Sequence, residues 1–225
     1  MTWKRWLLIG VTVALVAGVG GPYVFIHFVE GKAPAKFSLS ASSASPSASL
    51  GGAVDGTWRI ASGSQVGYRV HEILFGQTNE AAGRTSSVSG TITVAGTKIT
   101  AASFTVDMTS VTSDKPMRDR QYNGRIMQTS TYPTSTFSLS DPIVFGSVPP
   151  QNSPQTKTAT GKLTLHGVTK TVTFTIRCER TGDTAQVTGS IPITFADYNI
   201  SNPSFGPVTT DDHGTLEFKL DLQHA

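Results

Sequence analysis

His71, His166 and His213, with Asp211 and Asp212 beside the last of them, are the residues of this chain best suited to holding a metal ion. Their spacing has none of the short intervals through which a helix or loop presents metal ligands together. His166 also falls where the chain must turn, so a solvated imidazole is the expectation there. Serine and aspartate are abundant enough for a Ser-His-Asp hydrolase, yet no Gly-x-Ser-x-Gly elbow occurs. The single Cys178 excludes an intrachain disulfide and any cysteine framework for a metal. Its neighbours alternate in polarity, which makes it a strand residue rather than a nucleophile. Arg118 offers a different chemistry, because a planar guanidinium fork suits a phosphate or carboxylate head group. Beside Asp119 it can equally tie a helix to its framework. The residues give no catalytic constellation and call for no metal or cofactor; what they leave is binding.

The elements that would position such a site are strands. From Ala159 to Ile176 the apolar residues Leu163, Leu165, Val172, Phe174 and Ile176 fall at every second place, with Thr and Lys between them. A strand sends alternate side chains to opposite faces, so one face is apolar and the other wet. Gly167 lies in the link from His166 to Lys170, which predicts a hairpin. The same alternation marks Trp58 and Ile60; Val66, Tyr68 and Val70; Val88, Ile92 and Val94; and Ile99 through Phe104 and Val106 to Met108. It returns at Phe137 and Leu139 with Ile143 and Phe145, at Val187, Ile191 and Ile193, and from Leu216 to Leu222. Eight or nine strands with turn signals between them predict an all-β antiparallel barrel or sandwich. Asp211 to Gly214 reads as a tight turn into the last strand, and Val148 to Thr156 as a loop. Asp114 to Gln128 breaks the pattern and predicts a short helix, capped by Asp114, with Pro116 in its first turn and Gly124 past its end.

Composition agrees with strands. Charged residues make up 15% of the chain, against about 25% in ordinary globular domains, while Thr, Ser and Gly are plentiful. The net charge is +3, and Lys4 and Arg5 ahead of the first apolar run account for most of it. Without a basic stripe or interleaved aromatics, no nucleic-acid partner is expected. Leu7 to Val29 carries no Lys, Arg, Asp or Glu and is long enough to cross a bilayer. Lys4 and Arg5 then place the N-terminus in the cytoplasm and everything after Glu30 outside. A cleaved signal peptide, leaving a secreted or periplasmic domain, is the competing reading; Ala33-Pro34-Ala35 is its small-x-small site. The chain therefore divides into an anchor over residues 1–31, a Ser/Ala/Pro-rich linker over 32–56 and a β domain over 57–225. The linker composition predicts a flexible tether.

With these elements laid out, the chain resembles the YceI-like family of lipocalin-like, polyisoprenoid-binding proteins. Trp58 to His71 resembles the family's opening strand pair. Ser110 to Ser113, Arg118-Asp119 and Tyr132 to Phe137 resemble its central signature, and Gly161 to Lys170 its hairpin. Asp197-Tyr198-Asn199-Ile200 is similar to a late family motif, with Phe195 standing where the family usually carries Arg. The resemblance implies an eight-stranded, lipocalin-like antiparallel barrel with a helical insertion, enclosing an apolar channel for a prenyl or acyl chain. It also implies a non-enzymatic protein and leaves room for a homodimer.

On this reading the channel is lined by Tyr68 and Val70, Phe104 and Val106, Phe137 and Leu139, and Leu163 and Leu165. Val172 and Phe174, then Phe218 and Leu220, complete the set, with Arg118 at the head group. The expected function is extracytoplasmic binding, storage or transport of a polyisoprenoid or fatty-acid-like chain, on a membrane tether. The alternative is a barrel filled by its own side chains, acting through its outer surface as a cell-envelope or stress-related interaction protein. Interior volume separates the two.

Overall fold

The alternating segments become eight long antiparallel staves in the computed structural model, which describes residues 33–40, 54–74, 76–206 and 208–225. The first stave is β1 (Gly56–Ile60) with β2 (Gln65–Leu74), and the second is β3 (Gln77–Thr85) with β4 (Val88–Ala95). The third is β5 (Lys98–Asp107) with β6 (Thr112–Ser113), and the fourth is β7 (Thr134–Leu139) with β8 (Ile143–Val144). Then come β9 (Gln155–Leu165), β10 (Val168–Thr181) and β11 (Thr184–Thr194), and last β12 (Val208–Thr210) with β13 (His213–His224). Each stave pairs with the next, and β13 pairs back onto both β1 and β2, so the sheet closes into an up-and-down barrel. The apolar run at Leu7 to Val29 lies outside the described residues. Among those described, no helix is long and apolar enough to cross a membrane.

Two stretches of this barrel escape a search for large alternating apolar residues. β3 is Gln-Thr-Asn-Glu-Ala-Ala-Gly-Arg-Thr, and its buried positions are taken by Ala81, Ala82, Gly83 and Thr85. β12 is only three residues long and pairs with the end of β2. Met108, expected as a strand residue, is buried in a short 3₁₀ turn that interrupts the third stave.

The first stave bends at Ala61 to Ser64, and one hydroxyl fills the gap in its ladder. Ser64 Oγ lies 2.9 Å from Ala61 O and 3.1 Å from Asp221 O, and accepts the Asp221 N–H at 2.9 Å. Ser64 is only 3% exposed, so Ser64→Ala leaves the part-buried Asp221 N–H without its partner. The expected loss is about 1–3 kcal/mol, read as a lower urea midpoint with an unchanged slope. An unshifted midpoint would show that the bend does not depend on this hydroxyl.

The hairpin between β9 and β10 is tighter than the sequence suggests. Leu165 pairs with Val168, and His166 and Gly167 have φ of +49° and +75°, the two successive positive values of a type I′ turn. His166 is not solvated. It is 6% exposed, its ring packs 4.4 Å from that of Tyr132, and its Nδ1 donates to Tyr198 O at 3.0 Å. The turn is covered by its neighbours, which strips the imidazole of water.

The helix, α1 (Pro116–Gln121), starts later than Asp114 and passes into a π-helical turn at Tyr122–Ile126 that takes in Gly124. Lys115, not Asp114, holds the N-cap position, and no side chain caps it. Asp114 instead pairs with Arg118 one turn on. At the same end of the barrel lie the Leu74–Gln77 and Leu165–Val168 turns and the connection from β11 to β12. Arg125 clips that connection to the helical turn by donating to Asn202 O at 3.1 Å and Pro203 O at 2.9 Å. The opposite end holds the Trp58 side chain, 2% exposed, whose Nε1 donates to Val54 O at 3.0 Å.

The linker does not behave as one free tether. Residues 33–40 lie against the outer wall of the barrel, where Arg69 Nη2 donates to Pro34 O at 2.6 Å and Arg84 stacks on the Phe37 ring at 3.9 Å. Residues 41–53 lie outside the described residues.

Candidate functional site

Inward-facing side chains from all eight staves surround one cavity of about 700 Å³. That volume falls inside the range of about 300–1,000 Å³ in which proteins enclose small molecules. The interior is therefore not filled by side chains: opposite staves stand far enough apart, and their inward residues are so disposed, that a lumen remains.

Four interior glycines explain why the aromatics do not fill it. Tyr68 lies across from Gly83, Phe104 from Gly90 and Phe218 from Gly189 in directly paired positions. Phe137 lies diagonally over Gly161. A Cβ built on Gly189 would sit 2.5 Å from the Phe218 ring, and one on Gly161 2.3 Å from the Phe137 ring. Each ring thus lies flat over a bare stretch of the neighbouring strand instead of pointing at the axis. Phe174 then meets Phe137 and Phe218 edge-on, with ring centroids 5.5 and 5.9 Å away.

Of the residues expected to line a channel, Tyr68, Val70, Phe104, Val106, Phe137 and Leu139 all lie on the cavity wall, as do Leu163, Leu165, Phe174, Phe218 and Leu220. Val172 does not. It is partly buried against the core, and its cross-strand partner is Gly161, over which the Phe137 ring occupies the lumen side. Parity along the strands could have added Ile176, Val187, Ile191 and Ile193, which also line the cavity. Met108 shares the parity of Phe104 and Val106 and reaches the cavity from the 3₁₀ turn, whereas Val111, Tyr122 and Met127 come from the helical insertion and its approach, where no strand parity marks them.

The mouth lies under α1, between Lys115, Met117, Arg118 and Gln121 on one side and Leu74, Pro203, Phe205 and Val208 on the other. Arg118 is on this rim with its fork already engaged: Nη1 pairs with Asp114, and Nη2 lies 3.5 Å from Glu72 Oε1. Asp119 takes the structural part, accepting the Ser113 N–H at 2.8 Å and hydroxyl at 2.7 Å, which ties α1 to β6. Tyr68 and Tyr122 stack beneath the rim at 5.2 Å, and burial pushes both phenols far above their ordinary range. Phe195 is buried and lines the cavity, so an apolar ring stands where the family resemblance would put an arginine.

The candidate chemical residues scatter. His71 and His213 both approach Asp211 Oδ2, at 3.2 and 3.8 Å, on the exposed outer surface, whereas His166 is buried in the β9–β10 turn. Among the described residues no group of three or more His, Cys, Asp or Glu side chains could hold a metal. Cys178 is half-buried in β10, and burial pushes its thiol up to about 11. It is protonated and a poor nucleophile at neutral pH.

Comparison with known proteins places the fold. The chain is similar to a polyisoprenoid binding domain from Saccharophagus degradans, implicated in plant cell wall breakdown. That match has a TM-score of 0.58 at 18% identity, over 76% of this chain and 99% of the other. It is similar to Burkholderia cenocepacia BcnA, with a TM-score of 0.55 at 25% identity, over 70% and 95% of the two chains. A Campylobacter jejuni YCEI protein matches with a TM-score of 0.51 at 16% identity, over 64% and 84%. No curated protein gives a significant match. The family model described as the YceI-like domain matches residues 58–222, the barrel to within two residues at either end, and the chain belongs to that family.

Proposed function

We propose that this protein binds one long-chain amphiphile, a polyisoprenoid or a comparably long acyl chain, inside the barrel, and stores or carries it outside the cytoplasm from a membrane tether. The observation that carries this reading is the cavity itself: about 700 Å³, walled almost wholly by aliphatic and aromatic side chains. Burial drives the binding, since each CH₂ removed from water contributes about 0.8 kcal/mol. The Saccharophagus relative is described as polyisoprenoid binding, and a slender branched chain suits a bore lined by rings lying flat. The tail, more than the head, should determine affinity. Arg118 already faces two carboxylates, and Phe195 offers no charge, so a tight anionic clamp is not part of this reading. Neither is catalysis.

The test is organic extraction and mass spectrometry of the chain from Ala33 onward, exported in its own host and purified without detergent. A stoichiometric long-chain species supports the proposal and names the ligand class. A ligand-free protein that also takes up neither prenyl nor acyl chains would overturn it, and would move the function to the outer surface.

A further inference from the structure

The outer wall of the barrel carries a buried ion cluster where a wet, uncharged surface would be ordinary. Glu217 on β13 is 5% exposed and holds two arginines: Arg69 from β2 at 3.2 Å and Arg84 from β3 at 2.8 Å. Arg69, itself 6% exposed, also reaches Glu80 at 2.9 Å. Alternation points these side chains away from the lumen, opposite to Val66, Tyr68 and Phe218, and the chain's own residues 33–40 lie over them. Arg69 and Arg84 donate to the carbonyl oxygens of Pro34 and Ala35, and the Phe37 ring lies under the Arg84 guanidinium at 3.9 Å. Ser40 closes the run, bonded through its N–H and hydroxyl to Gln186 on β11. Paired buried charges are costly unless their remaining donors are satisfied. The two carbonyls meet that need, which makes residues 33–40 a fitted strap.

The strap has a direction. Arg69 is level with Thr215 of β13, and Gln186 is level with Asp221. β13 runs from the mouth at His213 to the far end at His224, so Pro34 lies nearer the mouth and Ser40 nearer the far end. Ala33, where the described strap begins, therefore lies on the mouth half. Only residues 30–32 separate the strap from the apolar run at Leu7 to Val29, a reach of at most about 14 Å over the four steps from Val29 to Ala33.

A second observation concerns the mouth itself. Met117 on α1, Phe205 in the β11–β12 connection and Ile73 beside the Leu74–Gln77 turn are 61%, 56% and 39% exposed. Three of the four large apolar side chains left exposed among the described residues thus gather at the end where the lumen opens. Such a cluster marks a contact surface.

We infer that the strap and this apolar rim act together to seat the mouth of the barrel on a lipid bilayer. The strap delivers the anchor to the mouth half, and Met117, Phe205 and Ile73 enter the interfacial region. A lipid tail then passes between membrane and lumen without crossing water. The linker is not a long free leash that lets the barrel tumble. This rests on the membrane-anchor reading of Leu7 to Val29 and deepens the lipid-binding proposal.

The experiment uses the full chain in phosphatidylcholine/phosphatidylglycerol vesicles, with Cys178→Ser and one nitroxide at Arg120→Cys on α1 or Asp183→Cys at the far end. Vesicles carry a nickel-chelating lipid as relaxing agent. The expected result is several-fold stronger relaxation at position 120 than at 183, with the difference falling toward parity in Phe37→Ser/Arg84→Gln, which releases the strap and leaves Arg69 paired with Glu217. Amide exchange over residues 35–40 should rise at least tenfold in the same variant. Equal relaxation at both positions in the parent chain would overturn the inference. So would an asymmetry that survives a strap shown to be released, failure of the chain to enter vesicles, or a native N-terminus beyond Ala35. Uptake of a prenyl chain by the same samples is a separate reading: asymmetry without uptake sinks the carrier proposal and leaves the seating intact.

Discussion

Gly189→Ala should weaken binding of a long prenyl chain by roughly thirty-fold while leaving the barrel folded. The new Cβ would sit 2.5 Å from the tip of the Phe218 ring, against 3.0 Å from the nearest backbone atom, Thr175 O. The ring is the softer neighbour and turns off the wall. Its only open direction is the lumen, where Phe174 already stands edge-on at 5.9 Å. A ring in the bore displaces two or three methylenes of ligand, about 2 kcal/mol, which is roughly thirty-fold in Kd. Alanine has no conformational penalty here, because Gly189 is in extended backbone with no positive φ. The measurement is a titration with a fluorescent prenyl analogue, on the single variant and on Gly189→Ala/Phe218→Leu, whose smaller side chain reopens the bore. Full affinity in the single variant, or no recovery in the double, would mean that the glycine-backed ring does not set the bore. The double-mutant comparison isolates the pair from any general loss of stability.

That pairing also shows how far the sequence could be read. Closure into a barrel was legible because Leu163, Leu165, Phe174 and Ile176 alternate too cleanly for a helix, and a half-buried sheet must find cover. The inward face was legible strand by strand for the same reason: parity separates Phe218 from Glu217 without any structure. What parity does not carry is the register between strands. Gly189 and Phe218 lie twenty-nine positions apart, and nothing local says that one faces the other. A glycine at an inward position between Val187 and Ile191 was a signal of close approach, readable only once its partner was known. β3 was hidden because alanine and glycine, small enough to admit Tyr68 and Val70 across the strand pair, carry no hydrophobic signature. The mouth was hidden for another reason. Asp114 and Arg118 read as a cap and a head-group contact, yet in three dimensions they answer each other, and Glu72 joins them from a distant strand. The strap was least legible of all: a Ser/Ala/Pro segment has no tendency to fold alone, and its contacts exist only because Arg69, Arg84 and Glu217 were brought together beneath it.

Phe174→Asp should abolish lipid uptake and make stability strongly dependent on pH. Phe174 is 8% exposed and stands between Phe137 and Phe218 at the centre of the wall, so losing its ring alone costs about 3–5 kcal/mol. The introduced carboxyl adds the penalty of ionising in apolar surroundings, which raises its folded-state pKa above the unfolded value of about 3.9. The sign follows from proton linkage. A raised folded pKa contributes its stability in full below the unfolded value and loses it as pH climbs through the folded one. The variant should therefore be most stable near pH 4, relative to the parent at the same pH, and should weaken progressively toward neutrality. Phe174→Leu, which keeps an apolar wall, should show neither the pH dependence nor the loss of uptake. Urea unfolding of both variants and the parent across pH 4–8, with prenyl uptake at each pH, measures the two effects together. A folded Asp variant that takes up lipid with parental affinity at neutral pH would place Phe174 outside the ligand's path. If uptake instead returns on acidification while urea unfolding shows the variant folded at both pH values, the neutralised carboxyl lies beside the ligand's path, because refolding no longer accounts for the recovery.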